Sequence, residues 1–147
     1  MIDSFTGQYE FLSNFYNVNF KFEGRIFHNS EAAYQSGKTW NKEEKNLMAT
    51  LSPAEAKKMG RRVMLRPDWE RIKDEYMYFV CYAKFAQNPD LVKLLLQTGD
   101  EELIEGNTWH DNYWGNCTCP KCKEIQGKNQ LGKTLMKLRE CFKSNLH

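Results

Sequence analysis

Two acids, a set of basic side chains and a run of cysteines carry the chemical potential of this chain. Asp111 sits among Trp109, His110, Tyr113 and Trp114, with Gly115 close behind. Polar and aromatic residues at a strand or loop end, beside a helix start, are where small anionic ligands are often held. A tight loop folded onto a closing helix produces the same pattern. Glu31 follows an aromatic strand and opens the run Ser30-Glu31-Ala32-Ala33-Tyr34-Gln35. On a helix, Glu31, Tyr34 and Gln35 share one face. A first-turn acid ordinarily answers the helix dipole, but here it is delivered by a strand rather than an open polar loop. Arg61, Arg62 and Arg66 either meet a phosphate or lie on plain surface. Lys84 falls beside an apolar stripe, where a lysine snorkels to water or is functional.

Cys117, Cys119 and Cys122 include a Cys-x2-Cys pair, a spacing common at structural zinc. A tetrahedral site needs a fourth ligand, for which His110, Cys141 and His147 are the candidates. Placed beside the aromatic loop, a metal would brace that loop rather than do chemistry. The other reading is a reduced, cysteine-rich loop. Five cysteines is an odd number, and Cys81 and Cys141 fall within helical patterns as buried thiols. This usage fits a reducing cytoplasm better than a disulfide scaffold.

The elements that must position these groups follow from periodicity. Val18, Phe20 and Phe22 alternate with polar residues, Glu23-Gly24 reads as a turn, and Arg25–Phe27 returns, giving a hairpin. Ser30 has the properties of an N-cap for the helix that follows. Lys42–Thr50 is a polar helix. Ser52-Pro53-Ala54-Glu55 is a capping box opening a helix that ends near Gly60. Pro67–Gln87 is the longest helix, with Trp69, Ile72, Tyr76, Phe79, Val80 and Ala83 on its inward stripe. Asn88-Pro89 begins a helix with Leu91, Leu94 and Leu95 inward and Gly99 past its end. Leu103–Glu105 reads as a third strand, and Leu131, Leu135 and Leu138 define a closing helix. The expectation is one α+β domain over residues 1–147, mostly helical, with one small β-sheet.

Composition narrows the function classes. Hydrophobic residues make up 41% and aromatics 14% of the 147 residues, enough for a real core with aromatic surplus for a pocket. The net charge of +2 gives no bulk electrostatic case for nucleic acid. The opening MIDSFTGQYEF is not a secretory signal, and no segment is apolar enough to span a bilayer. No glycine-rich nucleotide loop occurs, and no pattern fixes an oligomeric state.

The order of motifs resembles the NADAR (YbiA-like) family. The resemblance rests on Phe11-Leu12-Ser13-Asn14-Phe15, Ser30-Glu31 with Tyr34-Gln35 and Lys38, Met59-Gly60-Arg61, Arg66 with Asp68-Trp69, and then Lys73, Met77 and Lys84-Phe85. Thr98-Gly99-Asp100, Asp111 before Trp114-Gly115, and Gly127-x-Asn129-x-Leu131-Gly132 before Arg139 complete it. The cysteine insert between Gly115 and Gly127 departs from the shortest members and leaves the flanking motifs intact.

This resemblance implies a YbiA-like α+β fold and an N-glycosidase acting on a phosphorylated riboside or an ADP-ribosylated base. The substrate is either a pyrimidine intermediate of early riboflavin synthesis or ADP-ribosyl-guanine, in DNA or free. A non-catalytic module binding ADP-ribose or another NAD-derived nucleotide is the alternative. No cofactor is expected for catalysis; a structural zinc is the one candidate metal. Breaking a ribosyl C1′–N bond builds positive charge at C1′ and the ring oxygen, which a carboxylate stabilises while it orients or deprotonates water. Glu31 takes that role, and Asp111 holds ribose hydroxyls or positions water. Lys84 either partners an anion or attacks an opened sugar aldehyde as a Schiff base. Ser13, Asn14, Arg61, Arg66, Trp69, Trp114 and Asn129 are the expected substrate-binding residues, with Trp69 and Trp114 flanking the departing base.

Overall fold

The alternation at residues 18–27 does form a hairpin. In the computed structural model, which describes residues 1–145, β1 (Phe20–Phe22) pairs antiparallel with β2 (Arg25–Phe27), Phe20 opposite Phe27. Glu23 and Gly24 both adopt positive φ, 49° and 78°, the geometry of a two-residue hairpin turn that follows strand twist. Phe20 and Phe27 stack with centroids 6.2 Å apart and face the interior. The chain divides into two compact units, Asn14–Pro89 and Met1–Ser13 with Asp90–His147, and each is described by itself.

In the Asn14–Pro89 unit, the hairpin delivers the chain into α1 (Ser30–Ser36), all seven residues of which are buried. Its cap is not Ser30, as expected from sequence, but Asn29, whose side chain accepts from the Ala32 N–H at 2.7 Å. Ser30 is the first helical residue and donates to Asn14 Oδ1 at 2.8 Å. Asn29 holds the extended backbone of a cap, φ −164° and ψ 156°, while Ser30 is already helical. Ala32 and Ala33 leave little bulk on α1, and α2 (Lys42–Met48), α3 (Pro53–Met59) and α4 (Trp69–Ala86) all pack against it. The capping box of α3 is present, with Ser52 and Glu55 bonding each other's backbone N–H. The core gathers Phe20, Phe27, Ala32, Ala33, Met48, Ala56 and Val80.

The buried face of α4 is rotated from the expected stripe. Trp69 and Val80 are buried as predicted, but Phe79 is 51% exposed, and Met77, Cys81, Lys84 and Phe85 take the interior.

In the second unit, a 3-10 turn spans Gly7–Leu12. Ile2 bridges Leu103 in parallel, with Ile2 N–H to Glu102 O and Ile104 N–H to Ile2 O both at 2.8 Å. The predicted third strand at Leu103–Glu105 therefore does not extend the hairpin. Its extended backbone meets the N-terminal segment instead, and the described strands form two separate two-stranded sheets. The second sheet is the parallel pair β3 (Gly106–Asn107) and β4 (Asn116–Cys117). In α5 (Pro89–Gln97) Leu91 and Leu95 point inward as expected, whereas Leu94 is 39% exposed. Gly99 follows at φ 62°, a left-handed position suited to glycine beyond a helix end. Helix α6 (Gln130–Ser144) buries Leu131, Leu135 and Leu138, as its periodicity predicts. Cys81 is buried and Cys141 only partly so. No described helix is long and apolar enough to cross a membrane.

Candidate active site and metal centre

Glu31 enters at the first turn of α1, where nearly all of its surface is covered; 9% remains exposed. One turn on, Gln35 donates from Nε2 to Glu31 Oε1 at 2.9 Å. The Gln35 amide oxygen is buried with no hydrogen bond among the described residues. It lies against Gly60, where an added Cβ would come within 1.9 Å of it. Glycine at position 60 is thus what leaves room for the amide that holds Glu31. Lys38 stands in the same charge field. Burial pulls its ammonium below the ordinary lysine value; Glu31 is the strongest charge opposing that, and Arg61 and Lys73 reinforce it. Lys73 is paired with Glu70 at 2.5 Å.

Lys84 is the unusual base of this unit. It is 1% exposed, with its ammonium 5.8 Å from the Tyr16 ring centroid and 5.3 Å from that of Phe85. Burial pulls its pKa down to about 8, against a smaller opposing effect from Cys81. Roughly a tenth of such an amine is neutral at pH 7, far more than for a free lysine. Asn14 is spent on structure: Oδ1 accepts from Ser30, and Nδ2 donates to Met77 Sδ at 3.5 Å. The Arg66 fork is filled by Asp68, at 2.6 and 2.9 Å, and lies over the Trp40 ring. Arg61 is exposed. Trp69 is 3% exposed and packs against Tyr34 and Tyr76, with centroids 5.2 and 5.6 Å away.

The remaining expected residues fall in the other unit. Ser13 closes the 3-10 turn through its N–H to Glu10 O. Asp111 Oδ1 accepts from the N–H groups of Tyr113 and Trp114 at 3.1 and 2.9 Å, so the carboxylate shapes the turn that presents Trp114. No described residue hydrogen-bonds Oδ2. Asn107 clasps the Asp111 backbone, accepting its N–H at 3.2 Å and donating to its carbonyl at 2.8 Å. Asn129 uses both ends of its amide on one segment, accepting from Glu105 N–H at 3.0 Å and donating to Leu103 O at 2.8 Å.

Directly before Asp111, the structure gathers His110, Cys117, Cys119 and Cys122, with one ligand atom from each within 4.8 Å of the others. Of the three candidates for the fourth ligand, His110 is the one in this cluster; His147 lies outside the described residues. Cys117 and Cys122 are buried. Burial raises both thiols, but hydrogen bonds from Cys119 and from the His110 N–H bring Cys117 down to about 7. Cys122 is pushed up to about 11 by burial and by its bonds to the other two cysteines. The soft donor set of three sulfurs and one imidazole can hold a zinc-class ion.

Residues 4–143 match the NADAR domain family. The chain belongs to the NADAR family. It is 36% identical over 140 residues to the N-glycosidase YbiA of Escherichia coli strain K12, covering 93% of this chain and 84% of that protein. It is 37% identical over 133 residues to a riboflavin biosynthesis protein of Vibrio vulnificus, covering 88% of this chain and 35% of that protein. The NMR structure of E. coli YbiA superposes with a TM-score of 0.83 at 33% identity, covering 99% of this chain and 89% of that one. The mostly helical fold with small two-stranded pairing is therefore the NADAR fold, and the family match spans both compact units. Gln35 was not among the expected site residues, although its i+4 spacing from Glu31 was the available signal. His110 was named only as one of three alternatives, because its spacing from the cysteines follows no standard knuckle.

Proposed function

We propose that this NADAR protein is an N-glycosidase that hydrolyses the ribosyl C1′–N bond of a phosphorylated riboside or of an ADP-ribosylated base. The observation that carries the reading is Glu31: a nearly buried carboxylate held from one side by Gln35. Similarity to YbiA, named an N-glycosidase, supports the reaction class. Similarity to a riboflavin biosynthesis protein supports a pyrimidine riboside as one substrate, with ADP-ribosyl-guanine, in DNA or free, as the other. In the reaction the C1′–N bond breaks with its electron pair going to the base nitrogen. Water adds at C1′, and its proton leaves through a basic group. A fixed negative charge near C1′ stabilises the oxocarbenium-like transition state, and a carboxylate is a competent acceptor for the proton. Glu31 serves both purposes. Lys84, with a pKa near 8, is either an anion partner or the nucleophile toward an opened sugar aldehyde. Arg61 is the exposed arginine assigned to phosphate, Arg66 acts where Asp68 releases it, and Asp111 offers Oδ2 to a hydroxyl or a water. Trp114 is assigned to the base. Ser13, Asn14, Trp69 and Asn129 complete the proposed substrate-binding set, Trp69 with Trp114 flanking the departing base. The cysteine cluster holds a structural zinc that takes no part in the chemical step. The working compartment is a reducing cytoplasm.

Glu31→Gln keeps the shape and the Gln35 contact while removing the charge. Turnover should fall by at least about a hundredfold, or roughly 2.7 kcal/mol of barrier, with near-native melting. The assay offers a 5′-phosphorylated ribosylaminopyrimidine and an ADP-ribosylated guanine oligonucleotide, with products read by mass spectrometry. Cleavage of neither substrate by wild type would favour the nucleotide-binding module. Full-rate cleavage by Glu31→Gln would remove Glu31 from the chemistry.

A further inference from the structure

The cysteine cluster does more than collect sulfurs. His110 Nδ1 lies 3.3 Å from Cys119 Sγ, 3.4 Å from Cys122 Sγ and 3.9 Å from Cys117 Sγ. Zinc bonds of about 2.3 Å to sulfur and about 2.0–2.1 Å to nitrogen, set at the tetrahedral angle, put a ligand nitrogen about 3.5 Å from each sulfur. The three observed distances bracket that value. Backbone N–H groups of His110 and Cys119 point at Cys117 Sγ, at 3.3 and 3.5 Å, an arrangement that stabilises a metal-bound thiolate. His110 reaches the cluster only by adopting φ 69°, a left-handed conformation uncommon for a residue with a side chain.

The position of the ligands in the loop matters as much as their geometry. Asn107 and Cys117 are partners in the β3–β4 pair, and Asn107 clasps the Asp111 backbone. His110 immediately precedes Asp111. Asn112 Oδ1 also accepts from the Cys117 N–H at 2.9 Å. A metal joining His110 to Cys117 would close the neck of a short loop whose tip carries Asp111 and Trp114.

We infer that His110, Cys117, Cys119 and Cys122 form a tetrahedral site for a zinc-class ion, and that this ion sets the conformation of the Asp111–Trp114 turn. The inference rests on the N-glycosidase reading only in giving Asp111 and Trp114 a functional purpose; the metal and its coupling to the turn stand apart from it. The ion is a positioning group, and it contributes no electrophile or hydroxide to the reaction. His110 is likewise a positioning residue, acting through its neighbour.

The test uses the full chain purified under reducing conditions without affinity resin. Native mass spectrometry and metal analysis should find one zinc per chain. Cys119→Ser and His110→Ala should lower zinc affinity at least tenfold against a chromogenic chelator, while Cys141→Ser should retain it. Cobalt in place of zinc should give the intense visible bands of a tetrahedral, thiolate-rich site. Hydrogen exchange is then compared before and after stripping with a chelator. Amides of residues 111–117 should exchange at least tenfold faster in the stripped protein and recover on adding zinc, with residues 69–86 unchanged in the same sample. Absence of stoichiometric zinc, or full affinity in both ligand variants, would overturn the site. Unchanged exchange at 111–117, or an equal rise across the whole chain, would overturn the coupling. Neither readout needs a substrate, so a protein that binds zinc, tightens the turn and cleaves nothing would sink the N-glycosidase reading and leave this one standing.

Discussion

A lysine with 1% of its surface exposed should leave a mark on stability as a function of pH. Lys84→Met keeps the length of the side chain and removes the charge. Lowering an amine from 10.5 to about 8 corresponds to about 3 kcal/mol, at roughly 1.4 kcal/mol per pH unit. The folded-state pKa is the lower of the two. Between about pH 8 and 10.5 the unfolded chain therefore binds more protons at this position than the folded one, and stability rises with pH. Below pH 8 the folded protein carries the whole cost of a buried ammonium. The stability of wild type minus that of Lys84→Met should be flat below about pH 7, climb by about 3 kcal/mol to pH 10.5, and flatten again. The cation–π contacts with Tyr16 and Phe85, worth about 1 kcal/mol, act only on the charged amine, so they lift the low-pH plateau of the curve and reduce the climb by that amount. Burial raises the Cys81 thiol to about 11, in the same range, so both proteins should carry Cys81→Ala. Urea midpoints over a pH series supply the measurement, since other titrating groups cancel in the difference. A flat difference curve, or one that falls as pH rises, would refute the argument that Lys84 is desolvated in the fold.

Two further outcomes follow from the same contacts. Gly60→Ala should push the Gln35 amide off Glu31, costing about 1–3 kcal/mol of stability from overpacking and lowering turnover with it; unchanged melting and unchanged rate would show that Gln35 moves freely. Ser52→Ala should remove the capping-box acceptor of α3 and cost about 1 kcal/mol, read by thermal melting, with no change in turnover because Ser52 is exposed and caps the end of α3 opposite Gly60.

Local signals in the chain were legible, and the long-range ones were not. The hairpin announces itself by alternation, the α3 cap by Ser52 and Glu55, and the α6 face by its leucines, because each depends on residues a few positions apart. The inward face of α4 differs from the periodic stripe because periodicity weighs apolarity alone. Lys84 counts as polar and Phe79 as apolar, yet the fold buries the lysine and exposes the phenylalanine. Leu103–Glu105 has strand-like residues, but its partner is Ile2, a pairing about a hundred residues away in sequence that no local pattern encodes. At the candidate site, the Cys-x2-Cys spacing pointed to a metal. The spacing alone leaves the fourth candidate open, because His110 joins the cysteine cluster through a left-handed turn. The family motif marks Glu31 as a candidate, whereas the room made for Gln35 by Gly60 emerges only from packing.

The bridge between Ile2 and Leu103 has a consequence for how the protein is made. The Asn14–Pro89 unit is one continuous stretch and can pack as soon as it clears the ribosome. The first thirteen residues belong to the other unit and must wait until their partners around Leu103 have been synthesised. At about 5–20 residues per second, that delay is on the order of several seconds, a long time beside the microseconds in which a helix or hairpin forms. During it Ile2, Phe5, Phe11 and Leu12, all buried in the finished fold, are exposed apolar side chains of the nascent chain. They form a ready landing place for a chaperone until the later-made residues of their own unit arrive.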